Sequence, residues 1–134
     1  MLTQWREQLI SGNEDFDSLH DELFGKVKAF MDAAKRREGE QELARFFWFL
    51  QRYVRKIFAT EEELQRTLGF SGYEAHKREH DEFAAKVREL VRHHVQWGAS
   101  TALVVASLQL IAEWFRNHVN IRDREVSVFL RQLP

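Results

Sequence analysis

Apolar residues recur every three to four positions through nearly the whole chain, and the only proline is Pro134, at its end. This spacing is that of a helix with one buried face, and proline is the residue that most strongly interrupts helices. Five of the six glycines fall between the periodic segments, where glycine marks turns. The pattern predicts an arm over residues 1–12, followed by four helices over about 13–37, 40–68, 71–95 and 100–130.

Four amphipathic helices with short connections are typical of an all-α, antiparallel up-down-up-down four-helix bundle. We therefore expect residues 1–134 to form a single domain, with Trp5 anchoring the N-terminal arm across it.

The composition excludes several classes of function. The chain has no cysteine, which rules out disulfides, thiolate nucleophiles, cysteine zinc sites and iron–sulfur clusters. Its net charge is −1 with interleaved acids and bases, whereas nucleic-acid binding requires a basic face. No apolar stretch approaches the ~18 residues of a membrane span, so no membrane partner is expected. The N-terminus has no signal-peptide core, which makes cytoplasm the expected location.

The pair His76 and His80 is the first candidate for chemistry. Residues four apart lie on one face of a helix, so two imidazoles can bind one metal ion. Alone this signal is weak. The other predicted helices each place nitrogen or carboxylate ligands on their inner faces, and such a mixture suits iron. These additional candidates are His20, Glu61, His118 and Asp123.

Each candidate also has an ordinary structural interpretation. His20 could be a hydrogen-bonded core residue, Glu61 could belong to a buried ion pair, and the His76/His80 pair could be exposed. Burying all six groups together without a compensating partner would be costly, and a metal centre supplies that partner. Four other polar residues lack this support and are interpreted as solvent-facing: Glu62, Glu63, His93 and His94.

His118 and Asp123 raise a geometric problem. Five residues on a regular α-helix place two side chains about 140° apart around the axis. If both reach one site, either the helix widens locally into a π-like turn or one side chain reaches sideways.

Several motifs together resemble the hemerythrin family, in particular its bacterial branch. They are a tryptophan in the arm, DSLHDEL over residues 17–23, YVRKIFATEE over residues 53–62, His76-x-x-x-His80 followed by Phe83, and Trp114-x-x-x-His118 with Asp123 five residues on. The resemblance extends from Trp5 to about Asp123.

The resemblance implies two non-haem iron ions that bind O2, bridged by carboxylates and a solvent-derived oxygen. His76, His80 and His118 would hold one ion, His20 would hold the other, and Glu61 and Asp123 would bridge them. The family has a further histidine four residues before the bridging glutamate. This chain has Ile57 there, so one ligand position is vacant.

The vacancy favours an oxygen- or redox-sensing module with fast autoxidation over a stable carrier. The implied partners are O2, small anions and a covalently attached signalling output domain. The alternatives are a di-iron centre that handles peroxide or nitric oxide, an oxygen carrier or storage protein, and a bundle that binds little iron. We do not expect an enzyme, and any catalysis would be oxidative di-iron chemistry.

Overall fold

The computed structural model describes residues 2–134, with side chains from Arg6 onward. These residues form helices α1 (Leu2–Leu9), α2 (Glu14–Lys35), α3 (39–67), α4 (Tyr73–Trp97) and α5 (101–131). No strand occurs in this range, so the predicted all-α helical bundle is confirmed. The predicted packing of Trp5 lies outside the described side chains.

Local sequence signals set the ends of the bundle helices. Asn13 caps α2 by accepting a hydrogen bond from the Phe16 amide, and Ser100 caps α5 by accepting one from the Leu103 amide. Such caps satisfy backbone donors that have no partner in the first turn of a helix. Gly98 ends α4 with a φ of 80°, a conformation that side-chain-bearing residues rarely adopt.

The segment before α2 is tied to the bundle by polar contacts. The Ser11 backbone amide and hydroxyl both donate to Asp17 Oδ1, at 2.9 and 2.8 Å. From the other end of the chain, Ser127 Oγ donates to the Leu9 carbonyl at 3.0 Å, and Arg131 Nη1 donates to the Ile10 carbonyl at 2.9 Å. These bonds fix the first turns of α2 against α5, immediately beside His20.

Two of the bundle helices contain π-helical segments. One is Trp114–Asp123 in α5, which confirms the local widening given as one solution for His118 and Asp123. The other, Tyr53–Ile57 in α3, was not predicted, and there the Phe58 amide donates to the Tyr53 carbonyl five residues earlier. Because π-turns bond residues five apart, the segment in α5 brings the side chains of His118 and Asp123 to the same side.

The core is built mainly from aromatic and branched side chains of all four bundle helices. Phe24 of α2 stacks on Phe115 of α5, with ring centroids 5.4 Å apart, and Phe30 stacks on Phe46 of α3 at 4.2 Å.

Over residues 2–134, no helix is both long and apolar enough to cross a membrane.

Candidate metal centre

The bundle brings all six predicted ligand residues into one buried cluster. None of their side chains is more than 2% exposed. Five of them each place a ligand atom within 4.8 Å of all the others, a group that could hold a metal ion. That group is Glu61, His76, His80, His118 and Asp123. His20 lies at the edge of the same cluster, against the two carboxylates.

Asp123 contacts histidines on two sides. Its Oδ1 lies 3.1 Å from Nε2 of both His76 and His118. Its other oxygen, Oδ2, lies 3.0 Å from Nε2 of His20. One carboxylate therefore faces two separate sets of imidazole nitrogens.

Glu61, on α3, also directs its two oxygens towards different histidines. Its Oε2 lies 3.3 Å from His76 Nε2 and 3.5 Å from His80 Nε2. Its Oε1 lies 3.6 Å from His20 Nε2. The site therefore has two parts. We call His76, His80 and His118, with Glu61 Oε2 and Asp123 Oδ1, the three-histidine half. We call His20 with the remaining two carboxylate oxygens the His20 half.

The arrangement of the donor atoms suits metal coordination better than hydrogen bonding among the side chains. Both Glu61 oxygens, His80 Nε2 and Asp123 Oδ1 are buried and have no hydrogen-bond partner among the described residues. Buried polar atoms are rarely left unpaired. His76 and His118 bring their Nε2 atoms to 3.1 Å of each other. Atoms bound at ~2.1 Å to one ion, at right angles, lie about 3 Å apart. The set of imidazoles and carboxylates suits iron, and we conclude that the residues fit such a centre.

Three of the four histidines are oriented by their outward nitrogens. Nδ1 of His20 donates to the Phe16 carbonyl at 2.8 Å. Nδ1 of His80 donates to Glu62 at 2.8 Å, and Nδ1 of His118 donates to Glu79 at 2.9 Å. Since a neutral imidazole carries only one proton, Nε2 is left free to bind metal. His76 Nδ1 has no such partner among the described residues.

The interpretation of Glu62 as a solvent-facing residue was wrong. Its side chain is 16% exposed and turns back to His80, whereas its neighbour Glu63 is exposed and pairs with Arg66. Sequence reasoning also missed Glu79 and Arg122. The available signal was the position of the two acids in the sequence, since Glu62 follows Glu61 and Glu79 precedes His80. Metal-bound histidines usually donate to a carboxylate or carbonyl, so acids beside proposed ligands are candidates for that partner.

His93 and His94 take no part in the cluster. His93 is exposed, and His94 is half-buried, with its ring 5.4 Å from that of Phe47. Both lie near the end of α4, several turns beyond His80.

The imidazoles and carboxylates of the cluster stabilise one another in their charged forms. Burial alone lowers the pKa of His20 and His76, but the adjacent carboxylates of Asp123 and Glu61 raise these pKa values to about 9 and about 10. Burial and Asp123 raise the pKa of Glu61, but the histidines outweigh them and lower it to about 2. Without metal, the buried carboxylates are therefore ionised and balanced by protons on imidazoles.

Aromatic rings cover two of the histidines in this cluster. Trp114 stacks on His118 with centroids 3.8 Å apart, and Phe58 stacks on His80 at 3.7 Å. Trp114 Nε1 donates to the Tyr53 hydroxyl at 3.3 Å. Ile57 is 2% exposed and packs in the apolar core, one turn before Glu61. An apolar side chain thus occupies the position where the resemblance led us to expect a ligand.

Comparison with known proteins agrees with this arrangement. The family model described as "Hemerythrin HHE cation binding domain" matches residues 11–128. The chain is 27% identical over 134 residues to a bacteriohemerythrin of Ralstonia nicotianae, covering 98% of this chain and 90% of the relative. It is 26% identical over 119 residues to a bacteriohemerythrin of Pseudomonas paraeruginosa, covering 89% and 75%.

A similar relationship links the chain to an animal protein. It is 27% identical over 119 residues to a myohemerythrin of Sipunculus nudus, covering 89% of this chain and 86% of the relative. No solved structure matched the chain. The chain belongs to the hemerythrin family, whose domain binds a di-iron centre.

Proposed function

We propose that this protein is an oxygen- or redox-sensing di-iron module. His76, His80 and His118 would hold one iron, His20 would hold the other, and Glu61 and Asp123 would each offer one oxygen to either ion. The observation that carries the proposal is the division of each carboxylate, with one oxygen towards the three-histidine half and the other towards His20. Such an arrangement suits two adjacent ions and would be excessive for one.

The bound iron pair would supply reaction with O2 and exchange of electrons. The protein supplies the rest. The proton on Nδ1 of His118, His80 and His20 keeps Nε2 directed inward. Trp114 and Phe58 cover two of these rings and exclude water from the three-histidine half.

Ile57 favours sensing over carriage. Its side chain is buried and cannot donate electrons to a metal or fill a coordination position. The His20 half would then offer an ion one imidazole and the two shared carboxylates, and would leave it open to water, small anions and O2. We expect a centre of this kind to oxidise quickly in O2, as a sensor requires, whereas a carrier must resist oxidation. The change of state would pass along α3 and α5, which carry Glu61 and Asp123, to an attached output domain.

The test is stopped-flow mixing of the fully reduced, iron-loaded protein with oxygenated buffer, followed by optical spectra. We expect two irons per chain by metal analysis, and oxidation that outpaces any stable oxygenated form. Ile57→His should slow this oxidation, because an added imidazole supports the iron. Ile57→Val is the matched control, since it keeps an apolar side chain at the position and should oxidise at the parent rate.

The outcomes separate the alternatives. An oxygenated form that lasts for hours in the parent protein and is unchanged by Ile57→His would contradict sensing and indicate a carrier. Sustained consumption of peroxide or nitric oxide would indicate an enzyme. Fewer than two irons per chain under saturating conditions would contradict the di-iron assignment itself.

A further inference from the structure

The outward nitrogens of the proposed ligands meet partners of different charge. In the three-histidine half, His80 and His118 donate to the carboxylates of Glu62 and Glu79. In the other half, His20 donates to a neutral backbone carbonyl, that of Phe16. This difference lies outside the ligand set, so it is an independent source of inequality between the two ions.

Glu79 is the better-fixed of the two carboxylates. Its Oε1 accepts from His118 Nδ1 at 2.9 Å, and its Oε2 accepts from Arg122 Nε at 2.6 Å. Both oxygens are therefore used by charged or polar donors from α5. Arg122 immediately precedes Asp123 in the π-helical segment, so the same segment supplies a bridging carboxylate and the cation that holds Glu79.

The ion pair lies at solvent, unlike the cluster behind it. Glu79 and Arg122 line a surface groove of about 370 Å³ that also reaches Trp114 and His118. Their side chains are 29% and 37% exposed. A charge change here should therefore alter the electrostatics of His118 and leave the buried core closed.

A carboxylate that accepts the Nδ1 proton of an imidazole makes the opposite nitrogen a stronger donor. A stronger donor stabilises the more highly charged, oxidised state of the ion that it binds. We propose that Glu79, a positioning residue acting through His118, lowers the reduction potential of the three-histidine ion, and that Arg122 moderates this effect by sharing the charge of Glu79. The inference rests on the proposed function, because it takes His118 to be an iron ligand.

The two residues should shift the potential in opposite directions. Glu79→Gln keeps the shape but removes the negative charge, so the potential should rise. A tenfold loss of preference for the oxidised ion corresponds to about 59 mV in a one-electron couple. Arg122→Met retains the extended aliphatic part of the side chain but removes the cation that neutralises Glu79. The full negative charge of Glu79 then acts on His118, so the potential should fall. Simple loosening of the site would shift both variants in the same direction.

The measurement is spectroelectrochemical titration of the iron-loaded parent and variants. Glu82→Gln is the matched control, because Glu82 lines the same groove and loses the same charge without contacting a histidine. We expect its potential to match that of the parent. Equal shifts in Glu79→Gln and Glu82→Gln, or shifts of the same sign in Glu79→Gln and Arg122→Met, would overturn the inference.

A second measurement needs no iron chemistry. Zinc accepts the same imidazole and carboxylate donors and is diamagnetic. In the zinc-loaded parent, NMR should show a downfield, slowly exchanging His118 Nδ1 proton, which moves upfield in Glu79→Gln but not in Glu82→Gln. If the parent binds two irons but this proton and the potential do not respond, only the present inference fails. If the parent does not bind two metal ions, the proposed function fails first.

Discussion

The two halves of the metal centre share their carboxylates and differ in nearly everything else. The three-histidine half has three imidazoles, two of which donate to charged carboxylates, and aromatic rings cover two of the three. The His20 half has one imidazole that donates to a backbone carbonyl, and the buried Ile57 lies where the resemblance led us to expect another ligand. On the proposed ligand assignment, the bundle therefore places a well-supported metal position next to a sparsely supported one.

Such a contrast would divide retention of metal and reactivity between two adjacent positions. Strong, oriented donors favour retention of an ion, and an incomplete donor set favours exchange of ligands at it. The shared carboxylates couple the two positions, since moving either one changes both halves.

The largest effect should follow from removing a shared carboxylate. Glu61→Gln replaces a buried anion that faces His20 on one side and His76 and His80 on the other. We expect both ions to be lost, with affinity falling by more than the ~100-fold that changes around a metal site already cost. Metal analysis after gel filtration checks this. Retention of one tightly bound ion would show that Glu61 belongs to only one half.

Next in size is the difference in retention between the two ions. Chelation of the parent should release metal in two phases, with the ion of the His20 half leaving first because it has one imidazole. Ile57→His should delay the first phase by at least about 10–100-fold, the range that loss of a hydrogen-bonding partner of a metal ligand already costs, because a ligand contributes more than such a partner. Ile57→Val should leave both phases unchanged. A single phase in the parent would remove the distinction between the halves.

Proton competition should make loading depend on pH. Without metal, the pKa values of His20 and His76 are raised to about 9 and about 10, because Asp123 and Glu61 outweigh the effect of burial. Metal binds neutral imidazole, so ions must displace these protons. We expect affinity for zinc to rise about tenfold per pH unit for each displaced proton, up to about pH 9, with proton release detected by an indicator dye.

The same shifts set the stability of the metal-free protein. A histidine whose pKa is raised by folding stabilises the fold below its unfolded pKa of ~6.5, and this contribution is lost as pH rises through the folded value. The free energy of unfolding of the metal-free chain should therefore fall between pH 7 and pH 10. A rise over this range, measured by denaturant titration, would contradict the charge balance described for the cluster.

The sequence was sufficient for the fold class and for the six side chains that meet in the buried cluster. Periodic apolar residues and the absence of internal proline predicted the helices, and inward-facing histidines and acids predicted which side chains meet. The spacing of His118 and Asp123 required either a π-like turn or a sideways reach, and the structure has the π-turn.

The sequence was not sufficient for contacts that depend on the rotation of a helix. Glu62 and Glu63 are both acidic neighbours of Glu61, and periodicity alone assigned both to solvent. The unpredicted π-segment Tyr53–Ile57 lies immediately before this stretch of α3, and no residue type marks such a segment. Whether Glu62 reaches His80 is decided by the relative rotation of α3 and α4, which is a property of tertiary packing.

The smallest effect should separate these two adjacent acids. Glu62 accepts the Nδ1 proton of His80 at 2.8 Å and has Lys77 only at 4.0 Å. Glu63 points to solvent and pairs with Arg66, an exposed interaction of the kind that contributes ~0–1 kcal/mol. Both can be changed to glutamine with the same loss of charge and little change in shape. The two substitutions therefore form a matched pair at consecutive positions.

We expect Glu62→Gln to lower the metal affinity of the three-histidine half by about tenfold, at the low end of the range for such partners. The neutral glutamine oxygen can still accept the hydrogen bond from His80, so only the charge is lost. Glu63→Gln should leave metal binding unchanged. The slow phase of chelation is the measurement, since it reports the three-histidine half, and the fast phase should be the same in both variants. If the fast phase moved instead, His80 would support the ion beside Ile57, and the division of the centre into two unequal halves would have to be redrawn. If neither phase moved, the charge on Glu62 would have no part in holding the metal, and the proposed role of Glu79 at His118 would lose its closest parallel.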